Sequence, residues 1–313
     1  MTAVSLLRAC VDVARPGYWL KNIFVLPGVV AAMALSKQMP DPLTLVAALL
    51  AVSLIASANY VINEALDAEF DRAHPVKCQR PFARGDLPRW LATAEYLLLL
   101  SLGMALSAAL SHMFVFIAVV FALSGLAYNV PPVRLKERAY VDILSESINN
   151  AIRLAFGWAV VAPTVLPPSS LLMIFWLGGA FLMAVKRLAE YRFIADPGVA
   201  GRYRTSFRFY NEERLMVAIH FFSGTCLLFL GVFMVKYRVE LILVLPLLAV
   251  LFSWYLAIGL KKESVAQSPE KLFLEWRFML FAVVLGLLIF AIAFSHALDF
   301  SFLLNVDLLS FPY

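Results

Sequence analysis

Apolar runs of about twenty residues recur along the whole chain, separated by short polar or basic clusters, and each is long enough to cross ~30 Å of hydrocarbon as a helix. They fall near residues 19–37, 44–65, 90–110, 113–130, 142–163, 169–186, 214–235, 239–260 and 276–297, which predicts nine spans. Only Ser111 and His112 separate the third run from the fourth, so these two form a tight hairpin. The fifth run is the least apolar. Its Asp142, Glu146, Asn149 and Arg153 fall at i, i+4, i+7 and i+11, a single polar stripe. A polar stripe within lipid faces the bundle interior or a wet cavity. Cavity lining and hydrogen bonding between helices are both open for it. Arg153 needs an anionic partner, either Glu146 or a substrate phosphate. Residues 1–18 carry Arg8 and Arg15 in an amphipathic stretch without a cleavage site, and read as an interfacial helix leading into the first span.

Composition agrees with this pattern. Of 313 residues, 62% are apolar and 15% are charged, against roughly 25% charged in soluble domains. The chain is therefore an all-α membrane protein, and a soluble fold is excluded. Three cysteines, Cys10, Cys78 and Cys226, lie far apart with no CxxC pair, which excludes a disulfide framework or zinc site. No linker or low-complexity stretch divides the chain, so residues 1–313 form one polytopic domain.

The net charge of +5 is a matter of orientation. The N-terminus and the loops at 66–89, 131–141, 187–213 and 261–275, with their flanking residues, hold 22 of the 26 Lys and Arg residues. The opposite loops hold only Lys37, Lys236 and Arg238. By the positive-inside rule the rich side is cytoplasmic, placing the N-terminus inside and the C-terminus outside in the plasma (inner) membrane. The basic, aromatic-interleaved stretch at 202–214 has the look of a nucleic-acid groove. Between two spans, however, an anionic lipid headgroup or a phosphate fits it better, and no nucleic-acid partner is expected. Transporters commonly repeat broken spans at matching positions, and no such symmetry is visible here.

The chemistry concentrates after the second span. Asn63, Asp67 and Asp71 are spaced i, i+4 and i+8, so on a helix they share one face. Their amide and carboxylate oxygens suit Mg²⁺, a hard ion that keeps waters and bridges to phosphates. Glu64 and Glu69 lie off that face. His74, Lys77, Arg80 and Arg84 follow at once. Cations beside a carboxylate array are what a diphosphate needs, since the metal takes some oxygens and Lys and Arg take the others. Pro75 and Pro81 stop the helix and shape a loop that returns those cations over the site.

The stretch Asn63-Glu64-x-x-Asp67-x-x-x-Asp71 resembles the first aspartate-rich motif of the UbiA-type intramembrane prenyltransferase superfamily, with Glu64 where that family usually has Asp. The resemblance implies nine spans, an active-site cavity open to the cytoplasm and capped by loops 66–89 and 187–213, and Mg²⁺-dependent chemistry at a diphosphate. Asp71-Arg-Ala-His74-Pro75-x-Lys77-x-x-Arg80-Pro81 is similar to the DRxHPxKxxRP stretch of its decaprenyl-phosphate phosphoribosyltransferase branch. Arg15-Pro16-x-x-Trp19-x-Lys21-Asn22 resembles that branch's RPxxWxKN signature, and Lys186-Arg187-x-x-Glu190 its KRxAE set. The prenyl-transferring branches instead carry a second DxxxD motif there.

That resemblance implies transfer of 5-phosphoribose from phosphoribosyl diphosphate to a polyprenyl phosphate held among membrane lipids. Asn63, Asp67 and Asp71 would hold Mg²⁺. Lys21, Asn59, His74, Lys77, Arg80, Arg84, Tyr128, Arg153, Lys186, Arg187, Glu190 and Arg204 are the substrate-binding candidates. The alternative is transfer of a prenyl group from a prenyl diphosphate to an aromatic or other small acceptor, which needs the same first motif.

Overall fold

The computed structural model describes residues 3–72, 77–194, 196, 198, 201, 204–267 and 269–295, and among them it contains helices and turns but no strand. Two compact units make up the chain, residues 1–167 with 196–210 and residues 168–195 with 211–313. The first holds α1 (Ala3–Ala14), a 3-10 stretch Pro16–Val25 that runs into α2 (Leu26–Ser36), α3 (Pro42–Arg72), α4 (Pro81–Arg84), α5 (Arg89–Leu110), α6 (His112–Asn129) and α7 (Val141–Val161). The second holds α8 (Ser169–Ile194), α9 (Glu212–Tyr237), a 3-10 stretch Val239–Val244 leading into α10 (Leu245–Gly259), and α11 (Trp276–Phe294).

A helix lies at each of the nine apolar segments. Among the described residues, eight are long and apolar enough to cross a membrane, the first of them taking in Val4–Ser36. The helix outside that set is α7, 21 residues long but carrying Asp142, Glu146, Asn149, Asn150 and Arg153. Helix ends move relative to the apolar runs. Because α3 continues to Arg72 and α8 to Ile194, the loops expected from 66 and 187 begin later. Hydropathy marks where lipid ends, whereas Glu, Ala, Leu and Arg sustain a helix well beyond that point.

The central element of the first unit is α3. Asp41 caps its start, Oδ2 accepting from the Thr44 backbone N–H at 2.8 Å, and Pro42 follows with a backbone angle already suited to a helix. Its middle is small and buried, including Ala48, Ala51, Ser53, Ala56, Ser57 and Ala58, so neighbouring helices approach closely. At the predicted hairpin, Ser111 ends α5 and caps α6 by accepting from the Phe114 N–H at 3.1 Å.

The N-terminal segment is fastened along α3 by polar contacts in sequence. Arg15 donates to Glu64 Oε2 at 2.6 Å, Trp19 Nε1 to Ser57 Oγ at 2.9 Å and Asn22 Nδ2 to Ser53 Oγ at 2.8 Å. Above these, Ala9 and Val13 of α1 pack with Ala58, Val61, Ala68 and Tyr96. Glu64 is therefore taken into the helix packing. It is 1% exposed and ion-paired with Arg15. Removing one partner of such a pair strands a buried charge. Glu64→Ala is expected to lower stability by about 3 kcal/mol. In thermal unfolding of the detergent-solubilised protein, the Arg15→Met/Glu64→Met double variant should recover most of that loss.

Two glycines set the crossing of α2 with α7. A Cβ on Gly28 would sit 1.9 Å from the Leu154 carbonyl oxygen, and a Cβ on Gly157 would sit 1.9 Å from the Val25 carbonyl oxygen. The backbones meet there without side chains between them, as small residues permit inside membranes.

In the second unit, α8 packs along α9, and the Cys226 thiol donates to the Ile174 carbonyl at 3.4 Å. Arg238, just beyond α9, donates to the Ile292 and Ser295 carbonyls at 3.0 and 3.2 Å and also to Ala293, satisfying the C-terminal end of α11.

Candidate functional site

Four-residue spacing places Asn59, Asn63, Asp67 and Asp71 on successive turns near the end of α3. Asp67 is the hub. Its Oδ1 accepts from Lys136 Nζ at 2.6 Å and Arg134 at 3.0 Å, and its Oδ2 accepts from Lys136 Nζ at 2.7 Å and Asn63 Nδ2 at 3.3 Å. Asn63 Nδ2 also donates to Asn129 Oδ1 at 2.5 Å, and Lys136 Nζ reaches the same oxygen at 3.0 Å. One turn on, Asp71 accepts from Arg80 at 2.6 Å, closing the loop after α3 back onto its end. Arg72 Nε donates to the Ala83 carbonyl at 3.0 Å and fastens the same loop.

Arg134 and Lys136 lie outside the substrate candidates picked from sequence. Both belong to the short connection between α6 and α7, and 67 and 69 residues separate them from Asp67. Their only signal was a place in a polar run on the basic side of the chain. Arg134 adopts a left-handed backbone, φ 31°, which persists for a bulky residue only where its surroundings dictate it. Here Asp67 holds one edge of its guanidinium and Glu137 Oε1 accepts from Nε at 2.5 Å. Burial pushes the Lys136 ammonium below the usual lysine range. The Asp67 carboxylate opposes that shift, and Arg134 and Arg204 add like charge.

The other candidates divide. Lys77 stands on the short 3-10 turn Lys77–Gln79 beside the Arg80 loop, whereas Arg84 turns away to Asp86, its Nε donating at 2.7 Å. His74 lies outside the described residues. Asn59 Nδ2 donates to the Phe121 carbonyl at 3.2 Å, while its Oδ1 is buried without a hydrogen-bond partner. Lys21 is exposed with its Nζ over the Tyr18 ring at 4.4 Å. Tyr128 donates to Glu146 Oε2 at 3.2 Å and accepts from Arg204 at 3.0 Å. In the second unit, Arg187, 1% exposed, donates to Glu190 Oε2 at 3.0 Å, and Lys186 precedes it on α8.

Arg153 lies buried on α7. Its partners are neutral oxygens, Asn22 Oδ1 at 3.0 Å and the Asn149 carbonyl at 3.4 Å, and its guanidinium lies over Phe121. Glu146 is taken up by Tyr128. On α7, Arg153 thus ties the helix to the N-terminal segment, Asn149 accepts from Ser124 Oγ at 3.1 Å, and Asp142 holds Ser206 and Tyr210. Hydrogen bonding between segments accounts for most of the stripe.

The donor set fits a hard divalent cation. Two carboxylates and an amide share one helix face, and among the described residues no group of three or more His, Cys, Asp or Glu could hold a metal alone. An ion there must complete its shell with water and substrate oxygens, as Mg²⁺ characteristically does.

Residues 24–282 match the model of the UbiA prenyltransferase family. The chain belongs to that family. Among its UbiA-family relatives, the decaprenyl-phosphate phosphoribosyltransferase of Mycobacterium tuberculosis is 34% identical over 202 residues, covering 63% of this chain and 65% of that protein. The enzyme of the same name from Mycolicibacterium smegmatis is 31% identical over 214 residues, covering 67% and 65%. The matches thus span just under two thirds of these relatives' length. A UbiA homologue from Archaeoglobus fulgidus, solved bound to GPP and Mg²⁺, has the same fold, with a TM-score of 0.70 at 18% identity over 91% of this chain and 98% of that one. The UbiA fold is thus present, and the chain is an integral, multi-pass enzyme of this superfamily.

Proposed function

We propose that this UbiA-family protein moves 5-phosphoribose from phosphoribosyl diphosphate to a polyprenyl phosphate, releasing diphosphate in an Mg²⁺-dependent reaction. The observation that carries this reading is the gathering of three cations, Arg80, Arg134 and Lys136, on the Asp67 and Asp71 carboxylates, with Glu137 holding the far edge of Arg134. The named relatives and the Asp71-to-Pro81 motif favour phosphoribose as the transferred group. Asn63, Asp67 and Asp71 would hold Mg²⁺, which supplies charge neutralisation at the diphosphate.

The side chains do the remaining work. Arg134, Lys136 and Arg80 exchange contacts with their carboxylates for contacts with the diphosphate, and Lys77 stands on the turn that leads into Arg80. Neutralising the leaving group lets its bond to ribose C1 stretch, with oxocarbenium character at that carbon. A phosphate oxygen of the lipid, anionic at neutral pH, then attacks C1, so no strong general base is needed. Fixed positive charge around the departing diphosphate is the main catalytic contribution. In this reading nine helices span the plasma membrane, the N-terminus is cytoplasmic and the C-terminus external. The site opens to the cytoplasm.

A second reading, prenyl transfer from a prenyl diphosphate, is favoured by the family description and by the GPP-bound homologue. Membranes carrying the protein should pass label from the ribose of phosphoribosyl diphosphate into a lipid-extractable product when polyprenyl phosphate is supplied. Transfer only from a labelled prenyl diphosphate would overturn the phosphoribosyl reading. A chelator of divalent cations should abolish either activity, and added Mg²⁺ should restore it. Activity that survives exhaustive chelation would remove the metal from both.

A further inference from the structure

Beside the Asp67 hub, α6, α7 and the segment 204–210 build a second polar constellation. Asp142, fully buried at the first turn of α7, gathers that segment. It accepts from Tyr210 OH at 2.5 Å and from Ser206 Oγ at 3.2 Å, and Arg204 Nε stands 3.6 Å away. One turn along the same face, Glu146 Oε2 accepts from Tyr128 OH at 3.2 Å. The Arg204 guanidinium links the two turns, its second edge donating to Tyr128 OH at 3.0 Å. Lys136, the residue that grips Asp67, has its Nζ 5.9 Å from the centre of the Tyr128 ring. The constellation therefore adjoins the proposed diphosphate site through Lys136, yet shares none of the residues at 63–71.

The mixture of groups is informative. A guanidinium recognises phosphate oxygens through its planar fork, whereas a carboxylate and a phenol in the same place suit hydroxyl groups. An isoprenoid chain would displace these hydrogen bonds and replace none, and polar groups left unpaired cost strongly.

We infer that Arg204, Tyr128 and Glu146 form a sugar-phosphate subsite next to the diphosphate site. In it Arg204 takes a phosphomonoester, Glu146 and Tyr128 take hydroxyls of the sugar, and Asp142 is the positioning residue that fixes Arg204. The assignment rests on the phosphoribosyl reading and deepens it. It places the discrimination between a sugar diphosphate and a prenyl diphosphate on residues distant in sequence from the aspartate-rich motif. Ser206 and Tyr210 serve as the hold on the segment that delivers Arg204.

The test uses the full chain in lipid nanodiscs, with ribose 5-phosphate and Mg²⁺-diphosphate as separate competitive inhibitors of the transfer. Ribose 5-phosphate should inhibit the wild type. In Arg204→Ala its inhibition constant should rise about tenfold or more, the worth of a charged hydrogen bond, while that for diphosphate stays near the wild-type value. Arg204→Lys should restore part of the loss. Asp142→Asn and Tyr210→Phe should raise the KM for phosphoribosyl diphosphate while leaving kcat and the KM for the lipid phosphate near wild type, a split that general unfolding does not produce. Equal shifts for both inhibitors in Arg204→Ala, or no shift in either, would overturn the subsite. A wild type that transfers phosphoribose but is indifferent to ribose 5-phosphate overturns the subsite alone. A wild type that cannot use phosphoribosyl diphosphate overturns the underlying reading as well.

Discussion

Asp67→Asn should reduce transfer by about 10²–10³-fold, the usual effect of removing one preorganised electrostatic contact to a reacting group. Asp67 accepts from Lys136 on both carboxylate oxygens, from Arg134 and from Asn63, so a single charge organises the whole cluster. The asparagine variant keeps the shape and one acceptor oxygen. It removes the negative charge that holds two cations in place and that would bind Mg²⁺. The cations then repel one another, and the diphosphate loses both its metal and its ordered partners. Asp71→Asn should be milder, because Asp71 has one described ion pair, with Arg80. The measurement is initial rate at saturating donor and acceptor, with thermal unfolding recorded alongside. Near-wild-type turnover in Asp67→Asn would remove the site at 63–71 from the chemistry.

A second large effect, on stability, is expected where no chemistry occurs. Gly157→Val and Gly28→Val both force atoms into a backbone already in contact. Even the first added carbon would stand 1.9 Å from a carbonyl oxygen on the opposing segment. Neither neighbour is a flexible side chain that could move aside, so α2 and α7 must separate. Overpacking of this kind costs about 1–3 kcal/mol and sometimes more. The separation would also stretch the Arg153–Asn22 hydrogen bond, now 3.0 Å, and leave a buried guanidinium with fewer partners. Loss of folded protein from the membrane fraction, or a sharply lowered midpoint in detergent, should follow for either variant. Gly224, with nothing within 4 Å of an added Cβ, is the control, and Gly224→Ala should unfold like the wild type.

How much of this could be read from the sequence depended on the range of each contact. Apolar runs located helices because the requirement to cross lipid acts on each segment alone. The Ser111-His112 hairpin and the alignment of Asn63, Asp67 and Asp71 on one helix are local in the same sense, and the described helices have both. Partners were another matter. Periodicity says which face of α7 is polar but not what that face meets, and Asp142 meets residues 64 and 68 positions away while Arg153 meets one 131 away. Arg134 and Lys136 fall outside the substrate candidates for the same reason, as cations in a short connection that only the tertiary fold brings to Asp67. The N-terminal motif illustrates the converse. Arg15, Trp19 and Asn22 form a recognisable pattern, and each of them hydrogen-bonds a polar side chain of α3.

Asn22 has a consequence for the order in which the chain is assembled. Its amide nitrogen binds Ser53 and its amide oxygen receives Arg153, so one side chain joins the earliest segment to helices that emerge from the ribosome at two later moments. A nascent chain halted before residue 153 can complete only the first of these bonds. Protease protection of Trp19 and its neighbours should accordingly rise in two steps during synthesis. The first step comes with release of α3 and the second only with release of α7.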